Sequence, residues 1–270
     1  MRIIRFVDNN GKNLYGKDLG GNQAELISGS PASGLSDLSG QHVEIGRLLA
    51  PVEPSNLICI GKNYAEHAAE MDSDAPPRPI IFMKPTGALN HPDCPIRLPA
   101  CANGPEVDYE GELAVVIGTP GRDIPKSRAL DHVLGYTIAN DVSARWWQKK
   151  GSGGQWVRGK GFDSFCPLGP AMVTPDEIPD PQKLTLTTTL NGEVMQDGHT
   201  RDMIFPVDEL ISFLSQDTTL QPGTVILTGT PAGVGAGRKP PVFLKPGDVV
   251  TIEIEKIGQL TNHVVAAVDA

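Results

Sequence analysis

Three acidic residues carry the clearest chemical signal in the chain. Glu110 and Glu112 stand two apart in the run Val107-Asp108-Tyr109-Glu110-Gly111-Glu112-Leu113-Ala114-Val115-Val116-Ile117-Gly118. The second half of that run is apolar on both alternating phases, the pattern of a strand buried on both faces. Residues two apart on a strand point to the same side, so the two carboxylates share one environment. Like charges entering a buried strand repel each other and lose hydration. Protonation, an Arg or Lys partner, or a divalent cation would relieve them; a wet strand end would avoid the problem. The segment Gly135-Tyr136-Thr137-Ile138-Ala139-Asn140-Asp141 reads as a second buried strand with Asp141 at its end. Two adjacent strands would then deliver Glu110, Glu112 and Asp141 to one point. Three oxygen ligands with no Cys or His suit a hard ion, Mg²⁺ or Mn²⁺ with Ca²⁺ as a substitute, and leave positions open for water and substrate.

Other residues could act beside such an ion. His67 and Glu70 are three apart in an Ala-rich stretch of helical composition, with Asn63 placed to cap it. A carboxylate beside an imidazole orients it as a general base, although the same spacing fits a surface pair on an exposed helix. Arg145 and Gln148 share a helix face by the same rule. Lys160 lies between Gly159 and Gly161, where it is either a placed ammonium or an exposed loop lysine. Lys84 closes the strand Pro79–Met83, as an anion contact or a solvent-facing terminus. The Gly-rich stretch from Gly229 to Gly235, next to the Thr230 hydroxyl, can hold a carboxylate or simply turn the chain. The spacing around Lys160 is not that of a phosphate-binding P-loop.

These residues need a scaffold, and the spacing of turns describes one. With 30 Gly and 24 Pro in 270 residues, connections are short and the fold strand-rich. The expected class is α+β, with a small N-terminal strand-rich domain over residues 1–52 and a main domain over 53–270. The first holds strands at Arg2–Val7 and Asn13–Lys17 and a surface loop at Ser28–Gly34; Pro51–Pro54 reads as the linker. In the second, strands are expected at Asn56–Ile60 and Thr224–Thr228, a helix at Ser127–Leu134, a short helix at Val142–Gln148, an Asn191-Gly192 hairpin, an amphipathic helix at Val207–Gln216 and a last strand at Val249–Ile254. Polar or Gly-rich loops at Met71–Pro79 and Lys149–Gly161 are placed to close over a site.

Composition excludes several function classes. A formal net charge of −9 argues against a nucleic-acid surface. No apolar run reaches the length of a membrane helix, and the N-terminus lacks the apolar core of a signal peptide. Cys59, Cys94, Cys101 and Cys166 form no C-x-x-C pair and read as buried thiols. The expectation is a soluble, cytoplasmic protein with no membrane or nucleic-acid partner.

Taken in order, the segments Gly61–His67, Phe82–Pro85, Asp108–Leu113, Asn140–Arg145, Lys160–Asp163 and Leu227–Pro231 resemble those of the fumarylacetoacetate hydrolase family, from about Asn56 to the C-terminus. Ser164–Pro170 and Arg238–Leu244 look most like its domain-containing-protein-2 branch. The resemblance implies a mixed β-roll or β-sandwich, the family's usual homodimer, and a small oxo-acid as partner. It implies that Glu110, Glu112 and Asp141 hold Mg²⁺ or Mn²⁺ and that His67 with Glu70 activates water. Lys160 and Gln148 would sit over the substrate's oxygens. Arg145, Lys84 and Thr230 would contact its carboxylate or stand behind it, with Tyr64 a further substrate contact. Hydrolysis of a carbon–carbon bond in a 2,4-dioxo acid such as an acylpyruvate or fumarylpyruvate is the expected reaction. Decarboxylation or keto–enol tautomerisation of oxaloacetate on the same chelating site is the alternative, and a non-catalytic metal-binding relative is the remote one.

Overall fold

The computed structural model describes residues 1–71 and 73–267. Its centre is a large sheet whose inner strands are Cys166–Val173, Val133–Asn140, Gly111–Ile117, Thr224–Leu227 and Asn56–Gly61, in that spatial order. Gly111–Ile117 and Cys166–Val173 are buried at every position, which is why their sequences are apolar on both phases. Thr224–Leu227 runs parallel to Asn56–Gly61, and the strand Ile80–Lys84 closes that edge. A second sheet contains Glu193–His199, Thr185–Leu190, Val249–Ile254, Gly258–Val265 and Ile96–Arg97. The two sheets meet closely at Gly111, where a Cβ would come within 2.3 Å of Thr188 Oγ1. The mixed, strand-rich fold expected from the sequence is present.

Pairing brings the acidic residues together. Gly111 is in register with Asn140 and Glu112 with Ala139. One step further, Asp141 N–H donates to the Glu110 carbonyl at 2.9 Å, and the Asn140 side chain accepts from Glu110 N–H at 3.0 Å. Glu110 and Asp141 are therefore neighbours across the end of an antiparallel ladder.

Several expected elements differ. The N-terminal strands continue the main sheet, because Arg2–Asp8 pairs antiparallel with Cys166–Val173. The stretch expected as a loop at Ser28–Gly34 is the turn of a hairpin between Gln23–Ser30 and the 16-residue strand Gly34–Leu49. That strand is polar and largely exposed, so apolar alternation could not reveal it. The helix expected at Ser127–Leu134 is a 3₁₀ helix over Lys126–His132 that leads directly into Val133–Asn140. Within Val142–Gln148, only Arg145–Gln148 is helical, and Ser143–Ala144 pairs with Val107–Asp108. Val249–Ile254 is not the last strand: Gly258–Val265 follows it and pairs antiparallel. The hairpin at Asn191-Gly192 and a helix at Val207–Leu214 form as read. The flap expected over Met71–Pro79 includes Asp72, which lies outside the described residues. Cys59 and Cys166 are buried free thiols as expected, whereas Cys101 is exposed. Among the described residues no helix is long and apolar enough to cross a membrane.

Asn63 has a different part from the one its sequence position suggests. The helix Ala65–Glu70 starts after Tyr64 and has no side-chain cap. Asn63 instead turns inward, fully buried, donating to the carbonyls of Phe205 (3.0 Å) and Thr228 (2.7 Å) and accepting from Phe205 N–H (2.8 Å). It clamps two distant loops to the chain that leads into His67. Asn63→Ala leaves these buried groups unpaired and should destabilise the protein by about 3 kcal/mol. Urea unfolding checks this; an unchanged midpoint would show that the clamp is dispensable.

Candidate active site and metal centre

Single carboxylate oxygens of Glu110, Glu112 and Asp141 lie within 4.8 Å of one another, and all three side chains are buried. Their surroundings treat them unequally. Lys160 Nζ bridges Glu110 Oε2 (2.8 Å) and Asp141 Oδ2 (2.5 Å). Lys84 Nζ takes the other Asp141 oxygen at 2.5 Å and donates to the Val142 carbonyl at 3.0 Å. Arg145 Nη1 lies 2.7 Å from Glu110 Oε1. Glu112 has one hydrogen bond, from Gly229 N–H at 2.7 Å, and no ion pair among the described residues.

The electrostatic consequences follow from that inequality. Burial pushes Glu110 upward, but the charges of Lys160 and Arg145 outweigh it and hold the group well below the ordinary carboxylate range. For Glu112, burial and the charges of Asp141 and Glu110 act together and push it well above that range, against a weaker pull from Lys160 and Gly229 N–H. Lys160 is itself held in its charged form, because Asp141 and Glu110 overcome its desolvation. A buried oxygen cluster with one carboxylate lacking a counter-charge is a set that a divalent cation would complete, and the hard, all-oxygen donors fit such an ion.

His67 and Glu70 form the expected pair, Nδ1 to Oε1 at 2.7 Å, but His67 is buried rather than on an exposed helix face. Glu70 is fixed in turn: its second oxygen accepts from Gly233 N–H at 2.9 Å, and Gly237 packs against it where a Cβ would come within 2.7 Å of Oε2. The Gly-rich stretch does hold carboxylates, and they are the protein's own. Gly229 N–H binds Glu112, Gly233 N–H binds Glu70, and Gly235 and Ala236 N–H bind Asp108 at 2.8 and 2.9 Å. At Gly229 and Gly233 the backbone has φ of +97° and +105°, a region that favours glycine.

One cavity of about 1060 Å³ joins these groups; His67, Glu110, Glu112, Lys160, Gln148 and Arg145 are in its wall. Arg145 is oriented by a bond from Nε to Asp108 Oδ2 (2.8 Å) and reaches Gln148 Oε1 at 2.9 Å, so these two expected residues act as a pair. Lys160 ends the short helix Trp156–Lys160 rather than lying in an open loop. Thr230 lines the cavity, but its hydroxyl donates to the Gly111 carbonyl and accepts from Gln196 Nε2. Lys84 is outside the cavity wall and braces Asp141 instead of meeting solvent. Tyr64 is buried in the apolar core, also outside the cavity wall. Two residues escaped the sequence reading: Asp108, which orients Arg145, and Glu106, which accepts from the backbone N–H of Asn103 and Trp146 and faces the cavity. Their signal was present, because Glu106, Asp108, Glu110 and Glu112 alternate without a break.

A strand-rich scaffold that buries an acidic triad beside a braced imidazole, at the wall of a deep cavity, defines an enzyme with a candidate metal centre. The profile of the fumarylacetoacetate (FAA) hydrolase C-terminal family matches residues 56–265, and the chain belongs to that family. The mitochondrial oxaloacetate tautomerase of Xenopus laevis is 52% identical over 219 residues, covering 81% of this chain and 68% of the relative. Fumarylacetoacetate hydrolase domain-containing protein 2 of Pongo abelii is 49% identical over 218 residues, 80% of this chain and 69% of that protein. The branch read from Ser164–Pro170 and Arg238–Leu244 is thus the one to which the chain belongs. A solved structure of 5-carboxymethyl-2-hydroxymuconate delta-isomerase from Mycobacterium smegmatis is 42% identical, with a TM-score of 0.85 over 98% of this chain and 100% of that one. The frog relative's name is mitochondrial, so it lends no support to the cytoplasmic placement expected above.

The raised position of Glu112 yields a measurable sign. A carboxyl group held above its ordinary range keeps its proton to higher pH than a free carboxyl, and an ion taking that oxygen competes with the proton. Mg²⁺ or Mn²⁺ should therefore bind with proton release and bind more tightly as pH rises; Glu112→Gln should abolish the release. Calorimetry across a pH series, in buffers of different ionisation enthalpy, counts the protons, and binding that is independent of pH and releases none would remove Glu112 from the ligand set.

Proposed function

We propose that this chain is a metal-dependent keto–enol tautomerase of a small 2-oxo acid, with oxaloacetate the substrate that the frog relative's name supports. The observation that carries the reading is the braced His67–Glu70 pair opening on the same cavity as Glu110 and Glu112. Glu110, Glu112 and Asp141 would hold Mg²⁺ or Mn²⁺. When bound, such an ion supplies Lewis acidity, drawing electrons from a 2-oxo group and acidifying the neighbouring C–H.

The chain's own residues do the rest. With Nδ1–H donated to Glu70, His67 keeps its lone pair on Nε2. That nitrogen takes a proton from the carbon beside the 2-oxo group. The C–H electron pair becomes the new carbon–carbon double bond, and the carbonyl pair moves onto oxygen. The Lys160 ammonium stabilises the charge that develops there, and the same proton delivered to that oxygen completes the enol. Gln148 and Arg145 orient the substrate's carboxylate. Thr230 supports the wall through Gly111, and Lys84 holds Asp141 in place.

Cavity size favours a second reading. A volume of about 1060 Å³ with an apolar side formed by Ile60, Met71, Phe82, Trp156 and Phe243 exceeds what a four-carbon acid fills. It suits a longer acylpyruvate, whose distal carbonyl would be attacked by water activated at His67, with cleavage of the carbon–carbon bond.

The homodimer is a proposal of its own, supported by an apolar edge. Ile81 and Met83 project from the outermost strand, 47% and 44% exposed, and Val157 on the adjoining helix is 51% exposed. The double variant Ile81→Lys, Met83→Lys should shift the protein to monomer by light scattering; a monomeric wild type would end the proposal.

Two experiments divide the catalytic readings. A panel of oxaloacetate, acylpyruvates and fumarylpyruvate with Mg²⁺ and with Mn²⁺ should show fastest turnover on the oxaloacetate enol. Turnover confined to acylpyruvates would favour hydrolysis, and none on any oxo-acid would favour a non-catalytic metal-binding protein. His67→Ala should lower tautomerase kcat by about 10² to 10⁴ with little change in KM. An unchanged kcat would remove His67 from the chemistry.

A further inference from the structure

Lys62 follows the strand Asn56–Gly61 directly and lines the same cavity as His67, Glu110 and Glu112. Its φ is +55°, in the left-handed region, which a residue with a Cβ keeps only where its surroundings over-determine it. Those surroundings are firm on both sides. A Cβ on Gly61 would come within 2.9 Å of the Trp156 ring, so the backbone there is pressed against the indole. Asn63 is clamped to Phe205 and Thr228, and its carbonyl accepts from Ile204 N–H at 2.7 Å. Between these anchored neighbours Lys62 stands in the cavity wall.

The wall also carries Arg145, Lys149 and Lys160, each of which has a partner. Arg145 is committed to Asp108 and Glu110, and Lys160 to Glu110 and Asp141. Lys62 is half-buried and has no hydrogen bond or ion pair among the described residues. A cation held by a strained backbone, without an internal partner, in a cavity of an acidic protein is placed for an anion from outside.

We infer that Lys62 is a specificity residue whose ammonium pairs with a second carboxylate on the substrate, remote from the 2-oxo-acid head, and so selects dicarboxylic over monocarboxylic oxo-acids. The inference rests on the proposed reading of the site as one for 2-oxo acids.

The test pairs substrates that differ only at that end. Exchange of the C3 protons in D₂O, followed by NMR with Mg²⁺ or Mn²⁺, compares oxaloacetate with 2-oxobutanoate. Lys62→Met should raise KM for oxaloacetate by about 10- to 100-fold with kcat nearly unchanged, and leave 2-oxobutanoate untouched. Lys62→Gly, which also removes the backbone strain, should behave like Lys62→Met, and Lys62→Arg should restore most of the selectivity. Equal losses on both substrates, or no loss on either, would overturn the inference. A second arm needs no turnover: calorimetry of 2-oxoglutarate and 2-oxopentanoate, which have the same chain length. The wild type should prefer the dicarboxylate by tenfold or more, and Lys62→Met should erase the preference. A wild type without that preference defeats the role of Lys62. A wild type that shows it, yet fails to exchange oxaloacetate, defeats the tautomerase reading alone.

Discussion

Burying several carboxylates within a few ångströms of one another is the constraint that shapes this molecule. Each would repel the next and lose its hydration, so the fold has to supply compensation at each of them. Lys84, Lys160 and Arg145 neutralise Asp141, Glu110 and Asp108, while backbone N–H groups of the Gly229–Ala236 stretch cradle Glu112, Glu70 and Asp108. Buried Lys and Arg side chains that a core would otherwise exclude are present for this reason. The compensation is incomplete at Glu112, and that shortfall is what makes the cluster a candidate for a divalent ion.

The same constraint explains the architecture around the cavity. Strands buried on both faces hold the triad from one side, and a glycine-rich turn closes on it from the other. Only glycine lets the backbone approach this near: at Gly235 a Cβ would lie 1.8 Å from the Val242 carbonyl. Aromatic packing stiffens the opposite wall, where Phe82 meets Trp156 edge to face at 5.3 Å and Lys160 Nζ lies 4.9 Å from the Phe82 ring centroid. A rigid charged floor beneath an apolar wall is an arrangement suited to stabilising charge that appears on a bound oxygen, since little has to reorganise when it does.

Membership of a family does not choose among reactions here. Tautomerisation, decarboxylation and hydrolysis of oxo-acids all begin with a polarised 2-oxo group and all pass charge to the same oxygen. They differ in whether a proton, carbon dioxide or an acyl group leaves, and in whether water attacks. Those differences lie in the reach of the imidazole and the shape of the distal wall.

Strongly patterned parts of the chain are legible in the sequence. The apolar runs ending in acids, the His67–Glu70 spacing and the Asn191-Gly192 turn depend on local sequence, and each formed as read. Polar strands such as Gly34–Leu49 have no such pattern, because their side chains mostly face solvent rather than a core, and the sequence does not reveal them. The partners of each charge were equally hidden. That Lys84 would brace Asp141, that Asn63 would clamp Phe205 and Thr228, and that Gly233 would hold Glu70 are contacts across 57, 142, 165 and 163 residues of chain. By itself the sequence determined which residues could do chemistry and which strands would carry them. Tertiary structure alone decided which acid goes without a counter-charge, since that depends on groups that only the folded chain brings within hydrogen-bonding distance.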